Sequence, residues 1–481
     1  MKLSKILKNI KYTGKHDDRE IANITYDSRK VKKNSMFIAI SGENDDGHDY
    51  ILEAINNGAT AVIANGRAPI TDLVPILQVE NPRKVMSKVA SNFYKNPSKK
   101  LNIIGITGTN GKTTTTQIID HIIKFSRRTS SSLGTLGFNT PSGIVSTGFT
   151  TPESIELQQI LKTISDGGIK YVPMEISSHA IELFRVDNIN VDIAIFTNLG
   201  YDHLDFHKSQ ENYFKSKLKL FTSLSKNSIA LLNYDDTKTN QIIKKINCNY
   251  LTYGFNKKAD LFIKRYELDL NQSIVSYEFK NTTFSIKTSL IGKFNLLNIA
   301  AATLCSIKIG IPTNIIQKSF KYLKNIPGRF ETYKSRNNNT VIIDYAHSPD
   351  AFDNIYKNIV ILKTKNQKII SIFGCGGNRD KSKRAIMAKI SEKYSDDIYI
   401  TNDNPRNESE DEIINDICLG FTKSKYSIIK NRKNAIIQAL SNFENSIILI
   451  LGKGIEQYQI IKNKKVPHSD IKIVENYINE N

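Results

Sequence analysis

Between residues 100 and 125 the chain changes rhythm. The apolar run LNIIGIT predicts a buried strand, GTNG reads as a turn, and Ile118, Ile119, Ile122 and Ile123 in TTTTQIIDHIIKF recur at helical spacing. Strand, Gly-rich turn and helix in that order open a parallel α/β fold. Strands continue to alternate with helical patterns through YVPMEIS, VDIAIFTN and SIALLNYD. The segments ADLFIKRYELDL, SIVSYEF and TFSIKTSLIG instead alternate apolar with polar residues, as antiparallel strands do. After NIPGRFETYKSRNNN the alternation restarts with TVIIDYAH, DAFDNIYKNIVIL, KIISIFGCGG, KRAIMAKISEKY, DIYITND, DEIINDICLGF and SIILILGKG, which predicts a Rossmann-like unit. Upstream, SMFIAI and TAVIAN between turn residues predict a small α/β domain, and the polar NPSKKLN a linker behind it.

Length and charge narrow the classes. A chain of 481 residues exceeds what one core holds. No apolar run approaches the ~20 residues of a membrane span. In MKLSKILKNIKY, Leu3, Leu7 and Ile10 share one face of a short helix, but Lys5, Lys8 and Lys11 interrupt any signal-peptide core. A cytoplasmic protein is expected. Cys248, Cys305, Cys375 and Cys418 lie far apart and form no CxxC, against both a disulfide framework and a zinc site. The net charge of +20 comes from scattered lysines, which reads as a solvated surface that attracts polyanionic substrates rather than as a nucleic-acid arm.

The candidate chemistry begins at the turn. A strict P-loop needs glycine where Ile106 stands; here the glycines are Gly105, Gly108 and Gly111, followed by Lys112, Thr113 and Thr114. Glycines let backbone N–H groups close on phosphate oxygens, and the helix N-terminus adds about half a positive charge. Lys112 would neutralise β/γ-phosphates and the Thr113 hydroxyl would reach Mg²⁺. Glu175, ending a strand, is a candidate Mg²⁺ ligand or a helix cap. Asp202, His203, Asp205 and His207 cluster after another strand without zinc-type spacing. Lys215, Lys217 and Lys219 read as a solvated helix face. Arg379 and Arg406 follow strand ends, where they suit capture of a carboxylate.

Taken together, YDSRKV, GENDDG, GITGTNGKTTT, TTPE, MEISSH, FTNLGYDHLDFH, GKFNLLNIAAA, GRFE, DYAHSPDA, GCGGNRDKSKR, DNPR and GKGIEQYQ resemble the Mur ligases, ATP-dependent amide-forming enzymes of peptidoglycan synthesis. The resemblance runs through nearly the whole chain. It implies three α/β domains: a UDP-binding domain (1–99), a central P-loop ATPase domain with a parallel sheet (100–328) and a Rossmann-like amino-acid domain (329–481). Tyr26, Ser28, Glu43, Asn44 and Asp45 would hold the uridine nucleotide, and Thr150, Thr151, Ser177 and Arg185 the muramoyl-dipeptide. ATP would meet Gly108, Thr109, Asn110, Gly111, Lys112, Thr113, Thr114, Asn298, Arg329, Asp344 and His347. Mg²⁺ would meet Thr113, Glu175 and His203. Lys217, four residues after Tyr213, matches a lysine carbamylated in the family to support Mg²⁺, which replaces its solvated reading. Arg379, Asp403, Asn404, Pro405, Arg406, Gly452 and Glu456 match a site for meso-diaminopimelate.

The implied reaction joins meso-diaminopimelate to UDP-N-acetylmuramoyl-L-alanyl-D-glutamate through an acyl phosphate, in a monomer that uses neither nucleic acid nor membrane. Phe149 stands where some members have Asn, Leu183 where they have Gln, and Ile455 where His is frequent. The alternatives are a lysine-adding relative, a folylpolyglutamate synthase-like ligase and, from another class, a nucleic-acid-stimulated P-loop ATPase.

Overall fold

The computed structural model describes residues 1–480 except 43, 44, 70, 141, 142, 424, 425 and 463, and omits the side chains of 139 and 140. Its backbone is organised by three sheets of parallel character and one hairpin. The first is fully parallel, in the order β1 (Asn23–Thr25), β2 (Ser35–Ile38), β3 (Ala59–Ala64), β4 (Ile76–Gln78). The N-terminal helix is confined to Leu3–Ile6, shorter than its spacing suggests, although Leu3 and Leu7 are buried as expected. The expected linker at Pro97 is instead a 3-10 turn, Pro97–Lys100, with Pro97 and Ser98 buried. The Ser98 hydroxyl accepts from Asn190 N at 3.1 Å, which fastens the segment to the next unit.

The second sheet has eleven strands. They are β5 (Asn102–Thr107), β6 (Leu133–Gly134), β7 (Gly137–Thr140), β8 (Gly143–Val145), β9 (Tyr171–Glu175), β10 (Ile193–Phe196), β11 (Ile229–Asn233), β12 (Asn249–Gly254), β13 (Leu261–Leu268), β14 (Ser273–Phe279) and β15 (Thr282–Thr288). The spatial order is β15-β14-β13-β12-β11-β10-β5-β9-β6-β7-β8. Strands β13–β15 are the antiparallel set that the alternating pattern predicts. At the centre, β5 pairs in parallel with β10 on one side and β9 on the other, Gly105 lying level with Ala194 and Met174. Such a reversal of strand order leaves a crevice at the carboxyl ends. The helix Lys112–Phe125 turns Ile118, Ile119, Ile122 and Ile123 into a core shared with the helix Lys293–Lys308.

The third sheet runs β16 (Glu331–Lys334), β17 (Thr340–Asp344), β21 (Ile447–Leu451), β18 (Ile369–Phe373), β19 (Asp397–Ile400), β20 (Ser427–Ile428), with only β16 antiparallel. Its carboxyl ends carry the loops 345–348, 374–380, 402–407 and 452–456. A hairpin, β22 (Tyr458–Ile461) with β23 (Lys464–Pro467), follows and had no signal in the hydrophobic pattern.

Candidate active site

The loop leaving β5 is pinned from the side by Asn198, which follows β10. Thr109 N donates to the Asn198 carbonyl at 2.8 Å and Asn110 N to its side-chain oxygen at 3.0 Å. Those two N–H groups are therefore engaged, and the anion cradle shifts to the first turn of the helix, whose N–H groups have no intrahelical partner. Gly111 precedes that turn at φ +85°, and a Cβ there would collide with the Asn298 side chain. Asn298 is held by Thr115 Oγ1 at 3.4 Å and by its own bond to Asn295 Oδ1 at 3.0 Å.

Two ammonium groups converge on the loop. Lys112 Nζ donates to the Gly108 and Thr109 carbonyls, both at 2.9 Å, and Lys217 Nζ to the Gly108 carbonyl at 3.0 Å. Neither forms an ion pair among the described residues. Lys217 is only 1% exposed and lies over the Tyr213 ring at 4.1 Å. The solvated-face reading thus fails at this residue: along Gln210–Thr222, Tyr213, Lys217, Leu220 and Phe221 point inward, while Lys215 and Lys219 stay outside. Burial, reinforced by Lys112, depresses Lys217 well below an ordinary lysine. Lys112 is also lowered, chiefly by its withdrawal from water.

Opposite stands Glu175 at the end of β9, 1% exposed. Its carboxylate accepts from Thr113 Oγ1 at 2.9 Å, Thr135 N at 2.8 Å and Thr135 Oγ1 at 3.2 Å. Thr135 carried no signal in the sequence. His203 adopts φ +55°, an unfavourable conformation for a residue with a Cβ, and its ring lies edge-on to His179 at 4.8 Å. Burial lowers His203 to about 4, against the opposing pull of Asp202. Among the described residues no group of three or more His, Cys, Asp or Glu side chains forms a metal cluster unaided.

Arg329 links the second and third sheets. Its Nη2 donates to Thr113 Oγ1 at 3.1 Å, and its guanidinium covers the Tyr345 ring at 4.6 Å. Asp344, raised by burial, accepts from Phe330 N and Ala346 N, each at 2.7 Å. His347, lowered by burial, faces the Tyr345 carbonyl at 2.9 Å. On the other side Thr150 meets the Thr135 hydroxyl at 3.2 Å, and Thr151 Oγ1 donates to the Glu175 carbonyl at 2.9 Å while accepting from Ser177 N at 3.2 Å. Arg185 Nη1 donates to the Thr151 carbonyl at 3.0 Å.

The loops of the third sheet are laced to each other. Gly377 N donates to the Asn404 carbonyl at 2.9 Å, and Arg406 Nη1 to the Gly377 carbonyl at 2.9 Å. Arg406 holds φ +54°. Burial and the neighbouring Arg379 guanidinium depress it, an arrangement that an anion between the two would relieve. Asn404 accepts from Lys453 Nζ at 3.1 Å and donates to Glu456 Oε2 at 2.8 Å. Gly452, at φ +112°, leaves room for Asp403, whose Oδ2 would lie 2.8 Å from an added Cβ. Behind these loops Arg384, unremarked in the sequence, is fully buried; it donates to Glu408, Asp416 and the Gly376 carbonyl.

One cavity of about 1320 Å³ is lined by Thr109–Thr114, Thr150, Thr151, Glu175, Ser177, Arg185, His203, Asn298, Arg329, Asp344, His347, Arg379, Asp403, Asn404, Arg406, Gly452 and Glu456. Gly108, Lys217 and Pro405 stand behind its wall. Tyr26, Ser28 and Asp45 follow strands of the first sheet and do not line it; Tyr26 donates to Glu156 Oε1 at 3.2 Å, on the helix Ser154–Asp166 of the next unit. Glu43 and Asn44 lie outside the described residues.

The N-terminus of the helix at Lys112 and the arginines Arg379 and Arg406 thus line one cavity at the carboxyl ends of two largely parallel sheets. The chain belongs to the Mur ligase family. Family models match at residues 20–94 (Mur ligase family, catalytic domain), 106–306 (Mur ligase middle domain) and 328–454 (Mur ligase, glutamate ligase domain). It is 42% identical over 476 residues to a UDP-N-acetylmuramoyl-L-alanyl-D-glutamate–2,6-diaminopimelate ligase of Aquifex aeolicus, covering 98% of this chain and 95% of that protein. A ligase of the same name from Clostridioides difficile is 42% identical, covering 95% and 94%. A solved structure bearing that name superposes with TM-score 0.70 at 27% identity, over 100% of this chain and 99% of the other. A folylpolyglutamate synthase of Mycobacterium tuberculosis, at 15% identity and TM-score 0.64, shares the fold over 77% of this chain.

Proposed function

We propose that the protein uses ATP to join meso-diaminopimelate to UDP-N-acetylmuramoyl-L-alanyl-D-glutamate. The observation that carries this reading is the single cavity in which the helix terminus at Lys112, the Thr151–Arg185 wall and the Arg379–Arg406 pair face one another. The γ-phosphoryl group of ATP passes to the D-glutamate side-chain carboxylate and ADP leaves. A carboxylate is a poor electrophile until one oxygen becomes part of a leaving group. The amine of diaminopimelate then attacks the acyl carbon, loses a proton, and inorganic phosphate departs as the amide forms. Lys112, the first helical turn and Arg329 stabilise the transferring negative charge. Arg185 holds the dipeptide acid, and Arg406 with Arg379 holds the distal carboxylate of diaminopimelate, which lysine lacks.

The donor set fits a magnesium ion: Glu175 is a buried carboxylate with only neutral hydrogen-bond partners in the contacts above, next to the Thr113 hydroxyl. Thr113, Glu175, His203 and a carbamate on Lys217 would hold it, and it would neutralise phosphate charge. A depressed Lys217 is available as the neutral amine, whose nitrogen bonds to CO₂ with release of one proton. Protein equilibrated with ¹³C-bicarbonate should show one carbamate carbon resonance that Lys217→Met lacks.

Phosphate release should require the UDP-muramoyl-dipeptide and be supported by meso-diaminopimelate well above lysine. Stimulation by DNA or RNA instead, or by folate substrates, would overturn the assignment. With ¹⁸O in the substrate carboxylate, label should appear in the released phosphate.

A further inference from the structure

Glu153, the last residue of TTPE, has no part in the chemistry above, yet it sits between two arginines from different units, Arg83 on the helix Pro82–Phe93 and Arg185 after the helix Ser178–Glu182. From the first unit, Arg83 Nη1 donates to Glu153 Oε1 at 3.1 Å and Oε2 at 3.2 Å. From the second, Arg185 Nη2 meets Glu153 Oε1 at 2.8 Å. All three side chains are largely buried, at 17%, 11% and 13% exposure for Arg83, Glu153 and Arg185. Arg83 Nη2 also donates to the Ser41 carbonyl at 3.2 Å, at the entry of the SGENDDG loop. Arg185 continues to the Thr151 carbonyl, and its guanidinium lies 5.4 Å from the Phe149 ring. Two guanidinium charges face one carboxylate, and Arg185 Nε is buried without a partner in a residue that lines the cavity.

We propose that Glu153 is a positioning residue that couples the two ends of the UDP-linked substrate. It holds Arg185 toward the dipeptide pocket, and through Arg83 it ties that orientation to the loop at Ser41. Occupancy of the nucleotide end then preorganises the arginine that takes the acyl end, and the reverse follows by linkage. The proposal rests on the substrate class given above.

Binding of UDP and of UDP-N-acetylmuramoyl-L-alanyl-D-glutamate to the full-length protein tests it, with Glu153→Gln, Arg83→Gln and the double variant. Each single variant should bind the complete substrate about ten-fold more weakly. UDP alone should bind within about two-fold of the native protein, because the variants remove coupling and not nucleotide contacts. The KM for the dipeptide substrate should rise while kcat and the KM for ATP hold. The double variant should lose no more than either single one, since both break one relay. Losses that multiply, or an Arg83→Gln that leaves dipeptide-substrate affinity unchanged, overturn the proposal. Failure of the native protein to bind either ligand overturns the assigned substrate instead. Arg83→Lys, which keeps the charge and loses the two-pronged contact, serves if a glutamine variant unfolds, with the same readouts.

Discussion

The most deeply buried cations beside the second and third sheets are treated in opposite ways. Around the third, Arg384, Arg432 and Lys453, each 2% exposed or less, are matched by carboxylates. Arg384 donates to Glu408 Oε1 at 2.7 Å and Asp416 Oδ2 at 2.8 Å, Arg432 pairs with Asp470 at 2.7 Å, and Lys453 meets Glu456 at 2.7 Å. Beside β5, Lys217 is equally buried, and among the described residues its ammonium group meets the Gly108 carbonyl and the Tyr213 ring but forms no ion pair. A buried charge without a counter-charge is costly, and a group so placed shifts toward neutrality. The difference separates two tasks. Matched cations hold the loops in place, whereas the unmatched Lys217 is the one on which the proposed carbamate chemistry depends.

Replacing each cation with methionine should break the symmetry between the regions. Lys217→Met should lower turnover roughly a thousand-fold while leaving the unfolding free energy unchanged or higher, because a buried amine with no carboxylate partner gives way to an apolar side chain of similar length. Arg384→Met should do the reverse in stability, costing about 3 kcal/mol in urea unfolding, since Glu408 is left 7% exposed with the exposed Lys381 as its remaining cation. A Lys217→Met variant as destabilised as Arg384→Met would erase the distinction.

Within the third sheet, Arg406 has a cavity-facing task that Arg384 lacks. Arg406→Ala should reduce the preference for meso-diaminopimelate over lysine by about 1.5–3 kcal/mol, measured as the ratio of kcat/KM values, with little change in stability. An unchanged ratio would remove Arg406 from the recognition set.

The smallest expected effect is on pH. His207, 5% exposed, is lowered to about 4, chiefly by burial and further by the nearby His179 and Lys217, with its Nε2 2.9 Å from Ser178 Oγ. Its folded value lies below its unfolded value near 6.5, so the unfolded chain binds the extra proton. Its contribution is complete above pH 6.5 and is lost as pH falls toward 4, by about 1.4 kcal/mol per pH unit at most and about 1.2 kcal/mol between pH 6 and 5. Glu408 and Asp470, held below the ordinary carboxylate range by their arginines, should not yield in that window. His207→Gln should flatten the dependence between pH 6 and 5; an unaltered slope would locate the titration elsewhere.

Much of this was legible in the chain. Period-3.6 isoleucines, period-2 strands and the Gly–Lys–Thr turn are local patterns, and local patterns set element type. Arg379 and Arg406 could be placed after strand ends because carboxyl ends of parallel strands gather in one place. The hairpin Tyr458–Pro467 escaped because β22 and β23 are short and largely exposed, so little burial marks them. Lys217 was misjudged from its immediate surroundings for a related reason: three lysines at alternate positions look alike until a helix is set against a core.

What the sequence determined alone is therefore the order of the main strands and helices, the Gly–Lys–Thr start of the helix at Lys112 and the family. Tertiary structure decided which side chains share the cavity and which cations find counter-charges. It also decided that the N–H groups of Thr109 and Asn110 go to Asn198, and that Glu153 stands between Arg83 and Arg185. Such outcomes depend on distances between segments remote in the chain, such as the 70 residues from Arg83 to Glu153. Periodicity carries no information about those distances; only packing of the sheets against one another sets them.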